Sequence, residues 1–152
     1  MNEQPKAARV VPTLEQFPGR TSDNIRFGDH DGQGHVNNAV FATYFETGRV
    51  LLLRDRENPI NVPGTTSVVA RLDINFLKEL QWPGTVEIGT GTAEIGRSSY
   101  VFAQALFRDG VCVATARATL VMIDAETRRA HPLPEEVVAR LEKLRMRVGS
   151  GE

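Results

Sequence analysis

The sequence predicts an α+β domain in which one long helix packs against a single antiparallel sheet. Phe41, Tyr44, Phe45, Gly48, Leu51 and Leu52 recur at spacings of three and four, the stripe of one amphipathic helix. Long β-branched runs follow, separated by the turn residues of LQWPG, GRSS and RDG, as in a meander of hairpins. A chain of 152 residues, 41% of them hydrophobic, is large enough for one domain with its own core.

Residues 1–20 are polar, carry prolines at 5, 12 and 18, and are expected to form a loosely held, flexible arm. Residues 21–148 then form a single domain. SDNIRFG (22–28) is a candidate for a short first strand. The helix is expected from about residue 38 to 56, with Thr43, Glu46, Thr47, Arg54 and Asp55 mostly off its apolar stripe. Asn37 or Asn38 can cap its start, because an asparagine side chain accepts from first-turn amides. Gly48 costs about 1 kcal/mol relative to alanine inside a helix, so keeping it there predicts close approach to the sheet. NPINVPG ends the helix. Strands are expected at 65–80, 84–96, 98–110 and 111–124, and LPEEVVARLEKLRMRV (133–148) reads as a closing helix. If the sheet wraps round the first helix, the helix N-terminus points at the loop FGDHDGQGHVNN.

Composition excludes several function classes. A net charge of −1, with no run of basic residues interleaved with aromatics, argues against nucleic acid as a partner. The lone Cys112, in GVCVATA, cannot form an internal disulfide and is expected to be a small buried hydrophobe. The N-terminus lacks the apolar core of a signal peptide, and no stretch is long enough to span a bilayer. A soluble cytoplasmic protein with no membrane partner is expected.

The chemistry is concentrated in FGDHDGQGHVNN. Asp29, His30, Asp31 and His35 are metal-ligand types at short spacing. The third histidine, His131, lies far along the chain and no second acidic cluster is evident, so metal is the weaker reading and no metal or cofactor is expected. GTGTAEIG (89–96) lies within a strand pattern and precedes a hairpin, so it fails as a nucleotide fingerprint. No G-x-S-x-G elbow is present. What remains is a carboxylate beside a helix N-terminus. A thioester carbonyl gains negative charge when attacked, and first-turn amides are fixed donors for it. An upstream carboxylate can act there as nucleophile or as general base, with Gly32 and Gly34 permitting the turn. On spacing alone, this reading stands level with a plain turn followed by a helix cap.

IRFGDHDGQGHVNNAVFATYFETGRVLLLR resembles the opening of the hotdog-fold acyl-CoA thioesterases of the 4-hydroxybenzoyl-CoA thioesterase-like group. INFLKELQWPGTVEIGTGTAEIGRSSYVFAQALF and VATARATLVMID are similar to the later strands, so the likeness spans about residues 22–140. The resemblance implies a hotdog fold, a curved antiparallel sheet wrapped around the long helix. It implies hydrolysis of an acyl-CoA to free acid and coenzyme A, and a homodimer or homotetramer with the acyl site between subunits. By the same resemblance Asp31 is the catalytic carboxylate, Asp29 shapes the loop, and the oxyanion donor is a backbone amide near Asn38. His35 is assigned to the site because HVNN is similar to a segment of plant acyl-carrier-protein thioesterases whose histidine takes part. Here Gln33 stands where those enzymes have asparagine, and a carrier-protein substrate is a second option. Arg97, Ser98 and Ser99 match a hairpin that contacts the nucleotide end of coenzyme A in relatives. Phe41, Tyr44 and Phe45 are candidates to line the acyl pocket. Two rival functions are a hotdog hydratase or dehydratase and a non-catalytic acyl-thioester binder. The first favours an Asp/His pair five residues apart, which neither Asp29 nor Asp31 makes with His35; the second would be expected to have lost the acid.

Overall fold

The structure, a computed structural model, describes residues 10–148. Residues 1–9 of the expected arm lie outside the described residues. The chain runs β1 (Gly19–Ile25), α1 (Asn38–Leu53), β2 (Thr65–Phe76), β3 (Gly84–Ile95), β4 (Ser99–Arg108), β5 (Val111–Asp124) and α2 (Glu135–Lys143). Short 3-10 turns at Leu14–Gln16 and Phe27–Asp29 flank β1. All five strands join one antiparallel sheet in the order β1-β3-β4-β5-β2. The sheet curves around α1, which is the hotdog arrangement. No helix among the described residues is long and apolar enough to cross a membrane.

Helix α1 buries Phe41, Tyr44, Phe45, Gly48 and Leu53 against the sheet, where Ile88 and Leu106 meet the aromatic rings. Gly48 is where helix and sheet press together. A Cβ there would lie 2.6 Å from Ile88 Cγ2 and 2.8 Å from Thr90 Oγ1. The expected stripe departs at one point. Leu51 is half exposed, whereas Arg49 is 4% exposed. Arg49 Nη1 donates to Gln104 Oε1 at 3.1 Å, while Gln104 Nε2 donates to Phe45 O and Thr90 Oγ1, both at 2.9 Å. This small network satisfies polar groups that burial would otherwise penalise. Burial also pushes the Arg49 guanidinium below its usual pKa.

Each element boundary that differs from expectation has a local cause. Helix α1 stops at Leu53 because Asp55 Oδ1 accepts from the amides of Glu57 and Asn58, an alternative to helical bonding. Strand β2 ends at Phe76 because the amides of Leu77 and Lys78 both turn to Val113 O. Residues 77–83 therefore leave the ladder before β3 begins. After α2, the chain follows β3: Thr92 N donates to Leu144 O and Met146 N to Thr92 O. The arm is also tighter than its prolines suggest. Phe17 is 1% exposed, meets Phe107 edge to face at 6.2 Å, and occupies the space a Cβ at Gly89 would need. Strand β1 accordingly begins at Gly19, ahead of the expected start. Cys112 is buried beside Phe17 and Phe107, and that burial raises its thiol pKa.

Candidate active site

The loop between β1 and α1 folds back on itself as a narrow hairpin. His30 and Val36 form an antiparallel bridge, and Asp31 N donates to His35 O at 2.8 Å. Gly34, at φ 85°, supplies the left-handed residue that closes the turn. Asp31 Oδ1 accepts from Gln33 N at 2.8 Å and His35 N at 3.4 Å. The Gln33 amide is the main reason the Asp31 carboxyl sits below its ordinary pKa of 3.8. The loop thus builds its own holder for a carboxylate anion.

Asp31 borders a cavity of about 340 Å³ together with Gln33, His35, Val36 and Asn38. Asn37 is the helix cap, its Oδ1 accepting from Ala39 N at 2.9 Å, and Asn38 is the first helical residue. The first amides of a helix have no acceptor within it, so this end of α1 presents donors beside the acid. The opposite wall is Phe76 to Glu79, the stretch released when β2 ends early.

The two acids of the loop have different surroundings. Asp29 Oδ2 accepts from Tyr44 Oη at 2.7 Å and from Arg26 N at 2.9 Å, clamping the loop to α1. Burial, reinforced by the Asp29 carboxylate, raises the Tyr44 hydroxyl above its ordinary pKa. Asp29 is therefore occupied in structure, and Asp31 faces the cavity.

His35 Nδ1 lies 3.2 Å from Glu79 Oε2, close enough for an ion pair when the ring is protonated, although not aligned as a hydrogen bond. Both residues border the cavity. Glu79 is the site residue that the sequence reading missed. Its only signal is the charged Lys78–Glu79 step interrupting an apolar run, and nothing local points it at His35. His30 Nε2 accepts from Trp82 N at 2.8 Å and is turned away from any ligand role. Among the described residues, no three His, Cys, Asp or Glu side chains gather as a metal-binding set.

Of the expected acyl-lining residues, only Phe41 borders the cavity, with its ring 5.1 Å from that of Phe76. Tyr44 and Phe45 are fully buried in the core and do not border it, because they point from α1 into the sheet. Arg97, Ser98 and Ser99 form the β3–β4 turn at the far end of the sheet. Along β4, Leu106 stands at the cavity end and Ser99 at the other, about 23 Å apart at the usual rise per strand residue. A single chain does not bring that turn to Asp31.

Comparison with known proteins agrees with this fold. A thioesterase from Thermus thermophilus, solved in complex with coenzyme A and Zn, is 32% identical, with a TM-score of 0.75. That alignment covers 86% of this chain and 96% of the other. The PA5185 protein from Pseudomonas aeruginosa is 26% identical with a TM-score of 0.79, covering 89% of this chain and 96% of that one. The YbaW probable thioesterase from Escherichia coli is 25% identical with a TM-score of 0.73, over 82% and 97% of the respective chains. The family described as the thioesterase-like superfamily matches residues 25–141, and its members' chemistry supports thioester hydrolysis as the class of activity. With an acid loop, a helix N-terminus and a curved sheet in this order, the chain belongs to the thioesterase-like superfamily.

Proposed function

We propose that the protein hydrolyses an acyl-CoA thioester to a free acid and coenzyme A, with Asp31 as the catalytic carboxylate. The observation that carries this is that Asp31, held as an anion by the amides of Gln33 and His35, shares one cavity with Asn38 at the start of α1. A thioester carbonyl placed between them meets the carboxylate at carbon and the Asn38 amide at oxygen, the amides of Ala39 and Val40 being bonded to Asn37. Asp31 either attacks the carbon or takes a proton from water that does. The C–S bond then breaks and the thiolate leaves, taking the proton Asp31 removed from water or one from solvent. On the nucleophilic route water then hydrolyses the Asp31–acyl anhydride, releasing the acid and restoring the carboxylate. His35, with Glu79 beside it, is placed to hold charge near the leaving sulfur. Phe41 and Phe76 supply an apolar wall for the acyl group. Coenzyme A as the thiol is supported by its presence in the Thermus thermophilus relative.

The same reading calls for at least a dimer. Strand β2 is a twelve-residue sheet edge whose Val69 and Phe76 are nearly half exposed, a surface that invites pairing. Antiparallel pairing of two such edges sets the Thr65 end of one copy beside the Phe76 end of the other. The second copy's Arg97–Ser99 turn then lies at the same end of the joined sheet as the first copy's Asp31. Arg97 would meet the phosphates of coenzyme A from there, aided by Ser98 and Ser99. Light scattering at micromolar concentration should show a dimer or tetramer; a 16.8 kDa species would contradict the assembly.

The test of the activity is release of free thiol from a panel of acyl-CoAs, from short to long chains and including aromatic acyl groups. Stoichiometric free acid and coenzyme A from at least one member is the expected result. Hydration or dehydration of an enoyl or hydroxyacyl thioester with no thiol released would replace this reading by the rival enzyme class.

A further inference from the structure

We infer that His30 is a positioning residue, whose imidazole ties the Asp31 loop to the β2–β3 connection through the backbone amide of Trp82. The inference rests on the Asp31 reading above. Among the described residues, Asp31 makes its own hydrogen bonds only to the loop that carries it, namely Gln33, Gly34 and His35. Its place in the cavity therefore depends on how that loop is fastened to the rest of the protein. On one limb, Val36 N donates to Leu80 O at 2.8 Å. On the other, His30 Nε2 accepts from Trp82 N at 2.8 Å. Both ties land on residues 80–82, directly after Glu79, the partner of His35. Asp29 clamps the loop to α1, and His30 with Val36 supplies the two ties that set Asp31 relative to residues 80–82 and the adjoining His35–Glu79 pair.

The surroundings of His30 fit this role better than they fit core packing. Phe27 lies 5.9 Å from the imidazole and meets Trp82 edge to face at 5.4 Å, so its ring touches both partners of the hydrogen bond. Yet Phe27 is 70% exposed and Trp82 46% exposed. Aromatic residues left this open add little by burial. A ring that accepts a backbone N–H at Nε2 is neutral and carries its proton on Nδ1. In that state His30 acts on the chemistry only through Asp31.

Two substitutions separate the hydrogen bond from the packing. His30→Phe keeps an aromatic ring and removes the acceptor; His30→Gln restores an acceptor at nearly the position of Nε2. The expected result for His30→Phe is a fall in kcat of about 10²-fold, the scale of a misplaced catalytic group, with KM changed by less than about threefold. Amide deuterium exchange over residues 31–36 and at Trp82 should rise in the same variant, because the tether protects them. His30→Gln should recover most of both. An unchanged kcat in His30→Phe, or unchanged exchange, overturns the inference. So does a His30→Gln variant as slow as His30→Phe, since that would give the imidazole a chemical task of its own. Exchange does not depend on which acid is catalytic. Near-full activity of Asp31→Asn, with the exchange changes still present, would place the fault in the Asp31 reading and not in the tether.

Discussion

The two ends of the sheet carry similar polar residues and use them in opposite ways. At the β3–β4 turn, backbone pairs with backbone: Gly96 N to Ser99 O, Met122 N to Ser98 O and Leu133 N to Arg97 O. Side chains close on each other as well, with Ser67 Oγ bonded to Asn61 Oδ1 and to the Tyr100 hydroxyl. At the Asp31 end, β2 leaves the ladder early, the loop before α1 doubles back, and polar groups face a cavity. His35 Nδ1 has only a poorly aligned carboxylate nearby, and the first amides of α1 lack helical acceptors. The contrast teaches that the proposed site lies on connections held by the elements, at the place where regular pairing stops.

The contrast is broken most directly at Asp31. Asp31→Asn keeps the turn but cannot serve as a base or an anionic nucleophile, so kcat should fall by about 10²–10⁴-fold in steady-state assays. Asp29→Asn is the internal control. It should change the rate far less and weaken the clamp on Tyr44, at a cost of about 1 kcal/mol in denaturant unfolding. If Asp31→Asn keeps near-full activity while Asp29→Asn is dead, the acids have been assigned the wrong way round.

The pH profile sharpens the same point. The Asp31 carboxyl is held below its ordinary 3.8, chiefly by the Gln33 amide, so its anion persists as pH falls to that value. Any loss of kcat/KM between pH 7 and pH 5 must then come from another group. An acid limb in that range that disappears in Asp31→Asn, measured on its residual activity, would contradict the placement.

Smaller effects are expected from residues that act through partners. Glu79→Gln removes the charge facing His35; because the pair is solvent-accessible it is worth at most about 1 kcal/mol, or roughly fivefold in kcat. Equal losses in Glu79→Gln and in the double variant with His35→Gln would show that the two act as a pair. Arg97→Ala, at the quiet end of the sheet, should raise KM a few-fold and leave kcat alone, since a phosphate contact is similar in ground and transition states. A collapsed kcat with unchanged KM would remove Arg97 from coenzyme recognition.

Much of this was legible in the sequence, for physical reasons that also explain the gaps. The apolar stripe of α1 and the turn residues of the meander are local signals, and they gave one helix and an antiparallel sheet. Gly48 announced close packing because nothing else justifies its cost in a helix. Arg49 could not be foreseen on the buried face, since its acceptor Gln104 lies on a strand far along the chain. Apolar residues Ile74, Phe76, Leu77 and Leu80 run on past Phe76, so β2 reads as longer than it is; the Val113 carbonyl that captures Leu77 and Lys78 is invisible locally. Phe17 was hidden among prolines because its partners, Gly89 and Phe107, come from other strands. In the candidate site, the shared cavity of Asp31 and Asn38 was foreseeable because one short stretch holds both, while the roles given to them come from the resemblance. Glu79 and Trp82 were not, because their contacts with His35 and His30 exist only once the loop is seated.

The contact at Gly48 has one more effect, on the size of what can be bound. Even a methyl group has no room between the helix and Ile88 at that level, and a turn nearer the cavity Tyr44 and Phe45 are sealed into the core. If an acyl group enters beside Asn38 as proposed, it would find no tunnel along the inner face of α1. On that reading a short or flat group would lie against Phe41 and Phe76, and a long chain would have to run outward past the end of β2. The glycine that lets helix and sheet meet works, from the cavity side, as a stop on a ruler.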